Sequence, residues 1–131
     1  MLERPGTIAI VGLSVDETRA SHRVARYLLQ AGCEVIPVNP LYERILGLRS
    51  FPTLAAVDRP IDLIDVFRRA EECLAVAEQA SVSGARVLWL QQGIRHPAAE
   101  ALAEAAGLVV VADRCLMVDH AAYRASRGAG S

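Results

Sequence analysis

The 131-residue chain contains no lysine: all 14 of its basic residues are arginine. Without a lysine amine there is no Schiff base to pyridoxal phosphate or to a carbonyl substrate. There is also no Walker A loop, whose lysine reaches the phosphates of a nucleoside triphosphate. Any phosphate held here is held by arginine, hydroxyls and backbone N–H groups. Cysteine and histidine are sparse. Cys33, Cys73 and Cys115 are odd in number and form no CxxC pair, and His22, His96 and His120 are equally scattered. Neither a disulfide framework nor a metal site is signalled, and the cysteines read as small buried or half-buried residues. No apolar run approaches the roughly 20 residues of a membrane helix. The opening Met1-Leu2-Glu3-Arg4-Pro5-Gly6 lacks the basic-then-apolar layout of a signal peptide. A cytoplasmic location with no membrane partner is therefore expected. Net charge is −1 and aromatic residues make up 5% of the chain, so no bulk attraction to nucleic acid is expected.

What the chain has in abundance is apolar residues, 53% of the total, with a mean hydropathy of +0.27. Such values suit a parallel sheet covered on both faces, whose strands read as unbroken apolar runs. The high apolar content is also compatible with a homodimer. The first run, Thr7 to Val11, stops at Gly12-Leu13-Ser14. Residues 22–31 place Val24, Ala25, Leu28 and Leu29 at helical spacing, with Ser21 as N-cap and Gly32 as C-terminal stop. Glu34 to Val38 is a second strand, ending in Asn39-Pro40 and completing a β-α-β unit.

Residues 41–60 are less regular, with Gly47 as a breaker, a short helix starting at Pro52-Thr53, and Arg59-Pro60 as its end. A third strand, Ile61 to Phe67, runs into Arg68-Arg69, and a helix over about 70–82 buries Leu74, Ala77 and Cys73. A fourth strand, Arg86 to Leu90, ends in Gln91-Gln92-Gly93; His96-Pro97 opens a helix through Ala106; the fifth strand, Leu108 to Ala112, leads to Asp113-Arg114-Cys115. Five strands alternating with helices imply an α/β fold: a Rossmann-like, doubly wound, mostly parallel five-stranded sheet with helices on both faces. One domain over residues 1–123 and a flexible tail over 124–131 are expected.

In an open parallel sheet, ligands bind beyond the C-terminal ends of the strands, near the point where strand order reverses. Polar or special residues fall there after every strand. The first turn lacks G-x-G-x-x-G, since Ser14 and Glu17 stand where the second and third glycines belong. Ser14 and Ser21 can offer hydroxyls, and Arg19 or Arg23 a guanidinium, to a diphosphate; the alternative is a tight turn, an N-cap and solvated arginines. An NAD site wants an acidic residue near the end of the second strand for the ribose hydroxyl, and this chain has Asn39. Arg44 can meet an extra ribose phosphate, or be a solvated loop residue. Asp62 and Asp65 alternate faces on their strand, which argues against a paired-carboxylate site. Cys115 and His120 face apart if their segment is helical, so no catalytic constellation emerges. Phe67-Arg68-Arg69 reads as anion or cofactor contact rather than a nucleic-acid surface.

Gly-Leu-Ser, Ser-His-Arg-Val-Ala, Val-Ile-Pro-Val-Asn-Pro, Ile-Leu-Gly, Asp-Val-Phe-Arg-Arg, Trp-Leu-Gln-Gln-Gly and Asp-Arg-Cys, in this order over about residues 5–123, resemble the small single-domain CoA-binding proteins. These are stand-alone relatives of the CoA-binding domain in the succinyl-CoA synthetase α subunit. The resemblance implies coenzyme A or acyl-CoA as cofactor, with Gly12, Leu13 and Ser14 at the diphosphate and Val38, Asn39 and Pro40 by the adenosine. It implies Val66, Phe67 and Arg68 further along the cofactor, and Gln91 and Gly93 on the pantetheine side. Relatives often carry a basic residue just after Asn-Pro for the 3′-phosphate; here it is Leu41, leaving Arg44 or Arg19 to substitute. The synthetase relatives use a phosphohistidine from a separate ligase domain, so the resemblance implies no such chemistry within these residues. A non-catalytic CoA or acyl-CoA carrier or sensor, with an unidentified protein partner, is the expected function. An NAD(P)-dependent oxidoreductase and a cofactor-free interaction module are the alternatives.

Overall fold

The computed structural model describes residues 6–129. In chain order the elements are β1 (Thr7–Val11), α1 (Ala20–Gln30), β2 (Glu34–Val38), β3 (Arg44–Ile45), β4 (Leu48–Arg49) and a 3-10 turn at Leu54–Ala56. They continue with β5 (Leu63–Val66), a 3-10 turn at Ala70–Glu72, α2 (Cys73–Ser81), β6 (Val87–Leu90), α3 (Pro97–Ala105), β7 (Val109–Val111) and α4 (Leu116–Ala129). The large sheet has the order β2-β1-β5-β6-β7, all pairs parallel. Its chain-order ranks, 2-1-3-4-5, are those of a doubly wound sheet, as the alternating pattern implied.

Side chains alternate along each strand, and both faces are filled. Ile8, Ile10, Leu63, Val87 and Trp89 pack with Val24, Ala25 and Leu28 of α1 and Leu116 of α4. Ala9, Val11, Ile36, Ile64, Val66, Leu88 and Leu90 pack with Cys73, Val76, Ala77 and Ala80 of α2 and Ala99 and Ala103 of α3. The buried face of α2 follows an i, i+3, i+4, i+7 spacing from Cys73. Leu74 falls one step off it and is 38% exposed, against the expectation that it is core.

Three local expectations are corrected. Ser21 is not the N-cap of α1: the helix begins at Ala20, with Arg19 in the cap position and no side-chain cap bond. The irregular stretch contains a β3–β4 hairpin, closed by Leu46 and Gly47, both with positive φ (56° and 74°), the signature of a tight two-residue turn. Two-residue strands are too short to show a period. Residues 124–129, expected in a flexible tail, continue α4. Leu116, His120 and Tyr123 recur at helical spacing, and the alanines and arginines that follow are good helix formers. Gly130 and Ser131, also assigned to the tail, lie outside the described residues, as do Met1 to Pro5.

Candidate functional site

From β1 the chain crosses to β2 on one side of the sheet, and later to β5 on the other. Strand order therefore reverses between β1 and β5, where α/β sheets leave a crevice for ligands. Gly12 sits there. Its N–H donates to the Val38 carbonyl at 2.9 Å, while the Phe67 N–H donates to the Val11 carbonyl at 2.8 Å, so the ends of β1, β2 and β5 are tied together. Gly12 has φ +90°, and a Cβ there would stand 2.6 Å from the Phe67 carbonyl oxygen. Only glycine fits, because both the backbone conformation and the close approach exclude a side chain.

The loop after Gly12 is folded by its own polar groups. The Ser14 N–H donates to the Ser21 hydroxyl at 3.0 Å, the Asp16 N–H to the Ser14 hydroxyl at 3.0 Å, and His22 Nδ1 lies 2.9 Å from the Ser14 carbonyl. Ser21 is thus a buried internal bracket. The Leu13 side chain is fully buried in the α1-side core, so only its backbone faces the loop. Its carbonyl accepts from Asn39 Nδ2 at 3.0 Å, and Asn39 Oδ1 accepts from the Leu41 N–H at 2.9 Å. Asn39 therefore stitches the first loop to the end of β2. Arg23 reaches back to the Thr18 carbonyl at 3.4 Å.

Two cavities open beside this junction. The first, about 450 Å³, is lined by Val11, Val38, Pro40, Pro52, Thr53, Leu54, Arg68 and the α2-side residues Glu71, Glu72, Ala75, Val76 and Gln79. Its wall is mostly apolar, with one guanidinium against two carboxylates. The second, about 670 Å³, is more polar and lies along Asn39 to Arg44, with Arg49, Ser50 and Pro52. Pro40 and Pro52 belong to both. Of the residues singled out from sequence, Val38, Pro40 and Arg68 meet in the first cavity, and Asn39, Pro40 and Arg44 in the second. Gly12 and Phe67 are chain neighbours of Val11 and Arg68 in the first but line neither cavity. Leu13, Ser14, Arg19, Ser21, Arg23, Val66, Gln91 and Gly93 also line neither.

Val66 is fully buried, and its carbonyl accepts from the Gln91 N–H at 3.2 Å. Gln91 is buried, and its Oε1 has no hydrogen-bond partner among the described residues. Gly93, at φ +87°, donates its N–H to Asp113 Oδ1 at 2.7 Å, binding the fourth strand-end loop to the fifth. Sequence reading missed Thr53, Gln79, Tyr42, Arg49 and Ser50. Thr53 was legible as a cap, since its hydroxyl accepts from the Ala56 N–H. Gln79 is 25 residues further on and reaches the site by accepting from the Leu54 N–H at 3.1 Å, which no local pattern announces.

Cys115 precedes α4, and His120 Nδ1 is 2.7 Å from the Tyr27 hydroxyl across the α1–α4 contact. Burial, and after it the Arg124 charge, push the His120 imidazole below its ordinary range. Among the described residues no group of three or more His, Cys, Asp or Glu side chains could hold a metal ion, and no helix is long and apolar enough to cross a membrane.

Comparisons with known proteins bear on what this junction is for. The model of a family described as CoA binding domain matches residues 6–121. The Bacillus subtilis (strain 168) protein YneT, itself uncharacterized, is 40% identical over 121 residues, covering 92% of this chain and 90% of its own. A solved structure from Thermus thermophilus is 39% identical, covers 91% of this chain and 90% of that one, and superposes with a TM-score of 0.87. A dinucleotide-forming acetyl-coenzyme A synthetase from Ca. Korarchaeum cryptofilum shares the fold (TM-score 0.73, 21% identity) over 83% of this chain and 26% of the synthetase. With the family pattern running from the first strand into the last helix, this chain belongs to the CoA binding domain family.

Proposed function

We propose that the protein binds coenzyme A or an acyl-CoA along the C-terminal ends of β1, β2 and β5 and does no chemistry on it. The observation that carries this reading is the pattern of a CoA binding domain over residues 6–121. Gly12 lets the end of β1 meet the Phe67 backbone at the topological switch point, where open α/β sheets take their ligands. In this reading the diphosphate lies against Gly12, Leu13 and Ser14, and the adenosine occupies the apolar hollow along Val38 and Pro40. Val66, Phe67 and Arg68 follow the cofactor outward, with Gln91 and Gly93 toward the pantetheine. Arg68 is the guanidinium beside the phosphates; Arg19 and Arg23 add positive charge to the rim of the first loop. A nicotinamide dinucleotide is disfavoured because Asn39, in the place of the ribose-binding carboxylate, is engaged by Leu13 and Leu41.

The reading includes no catalytic step: His120, the imidazole nearest in sequence to the Cys115 thiol, has its Nδ1 2.7 Å from the Tyr27 hydroxyl. The protein then acts as a carrier or sensor of the cofactor, read by a partner protein. Thermal unfolding with CoA, acetyl-CoA and NADH tests the binding. A ligand at one hundred times its Kd stabilises the folded state by about 2.7 kcal/mol, which a melting curve resolves. A rise with CoA or acetyl-CoA alone is expected. No shift with either at millimolar concentration, or a shift with NADH alone, overturns the reading.

A further inference from the structure

We infer that β7 is the interface of a two-fold dimer, in which the β7 strands of two copies of this chain pair antiparallel and join their sheets into one. The strand lies at the edge of the large sheet and is bonded to β6 alone. The opposite edge is covered. Beyond β2 the Asn39 N–H donates to the Phe51 carbonyl at 2.9 Å and the Phe51 N–H to the Pro37 carbonyl at 3.0 Å. Among the described residues nothing does the same for β7. Soluble proteins blunt a bare edge with a charge, a proline or a bulge. Leu108-Val109-Val110-Val111-Ala112 carries neither charge nor proline, its register with β6 is unbroken, and Val109 stands 56% exposed.

The hydrogen-bonding groups of the strand define what fits it. On a parallel ladder the N–H and C=O of one residue point to the same neighbour, and successive residues point to opposite sides. The Val109 N–H donates to the Arg86 carbonyl at 2.8 Å, so Val109 and Val111 face β6 while Leu108, Val110 and Ala112 face outward. The Leu108 N–H already donates to the Ala103 carbonyl at 3.0 Å. The Leu108 carbonyl, both groups of Val110 and the Ala112 N–H are left to a partner strand. A second β7 turned end for end about Val110 puts a donor opposite each of these acceptors. Val110 exchanges both of its groups with its own counterpart, and the Ala112 N–H of each copy meets the Leu108 carbonyl of the other. This match of a surface with itself is what a two-fold contact requires.

The side chains fit the same arrangement. Val109 pairs in register with Val87 and Val110 with Leu88, which puts Val109 on the sheet face of α1 and α4 and Val110 on that of α2 and α3. Across the two-fold, Val110 stands beside its counterpart, and Val109 stands opposite Val111 of the second copy. β-branched pairs of this kind stabilise a ladder. The flanking helices leave room: α4 folds back onto α1 through the Tyr27–His120 contact, and α3 packs against α2. Antiparallel pairing points the C-terminal ends of the two sheets in opposite directions, so the crevice at Gly12 stays open in each copy. The dimer is thus independent of what that crevice binds.

Sedimentation velocity of the full chain, from micromolar to sub-millimolar concentration, tests the pairing, with amide hydrogen exchange read at the same edge. The wild-type protein should sediment at twice the 14.1 kDa of one chain, with the Val110 amide protected. Val109→Lys puts a charge into the contact at an exposed position. Val110→Pro removes the outward N–H and leaves the β6 ladder intact, the setting in which an edge strand tolerates proline. Both variants should sediment as monomers with unchanged circular dichroism, and in Val109→Lys the Val110 amide should exchange freely. If the proline variant does not fold, Val109→Lys decides alone. Val82→Lys, at a position 87% exposed after α2, should remain dimeric. A wild-type monomer at every concentration, a dimer that survives Val109→Lys, or a wild-type dimer whose Val110 amide is unprotected overturns the assignment.

Discussion

Asp65 is the least comfortable residue in the fold, and replacing it should stabilise the protein. It lies in the middle of the sheet on β5, opposite Ile10 of β1 and Trp89 of β6, and is fully buried. Neither carboxyl oxygen has a hydrogen-bond partner among the described residues. Burial pushes its pKa well above the ordinary aspartate value of 3.8. The unfolded chain gives up this proton near the ordinary value, while the folded protein keeps it to higher pH. Over that interval the folded state binds more protons, so stability is full below the unfolded value and falls as pH rises through the window. It levels off above the folded value. Within the window the fall is roughly 1.4 kcal/mol per pH unit.

An unsatisfied buried polar group costs about 1–3 kcal/mol. Asp65→Val removes it, with some of the gain offset by fitting two methyls beside Trp89. At pH 7 the Val variant should unfold at higher urea, by about 1–2 kcal/mol. Asp65→Asn keeps the shape and abolishes the titration. Urea unfolding of the three proteins from pH 4 to pH 8 separates the effects. The wild-type curve should fall relative to Asn and Val as pH rises, while the two variants run parallel. Asp16, held low by the Thr18 hydrogen bonds, titrates in all three and cancels. So does Glu100, which burial pushes up and the Arg95 guanidinium and His96 N–H bring below its ordinary range. If wild type and Asn run parallel over this range, Asp65 does not carry a raised pKa. If Val is less stable than wild type by more than 1 kcal/mol, the carboxyl is satisfied and stabilising.

Gly12→Ala should cost about 1–2 kcal/mol for the left-handed backbone alone; the contact with the Phe67 carbonyl adds to it, and CoA binding should weaken more than stability does. Urea midpoints and titration calorimetry on the same samples measure both. For His120, an NMR titration of the ring should give a midpoint below the ordinary imidazole range, and Arg124→Ala should move it upward, because that charge is one of the two causes of the depression.

How much of this was legible in the sequence depends on where the information is local. The five strands could be read because burial on both faces turns each into a continuous apolar run, and the order of turns gave the doubly wound class. Gly12 stood out as the glycine ending the first run, although its reason, the Phe67 carbonyl 2.6 Å from where a Cβ would be, belongs to a residue 55 positions later. Ser21 was misread for a related cause. A serine before a helical stripe is a cap by local rules, but its hydroxyl is taken by Ser14 across the loop, and the helix starts two residues earlier, at Ala20.

The β3–β4 hairpin was invisible because two residues per strand show no alternation, and its stability comes from the Phe51 and Ser50 bonds to β2 rather than from its own sequence. That is why Arg44 was singled out alone and Arg49 passed over. In a linear reading the two are merely five apart in an irregular loop. In the fold they are one face of a ladder, and both line the more polar cavity. A site assembled from strand ends is legible where each end carries its own punctuation. It is hidden where a residue gains its role only from the partner that register places opposite it.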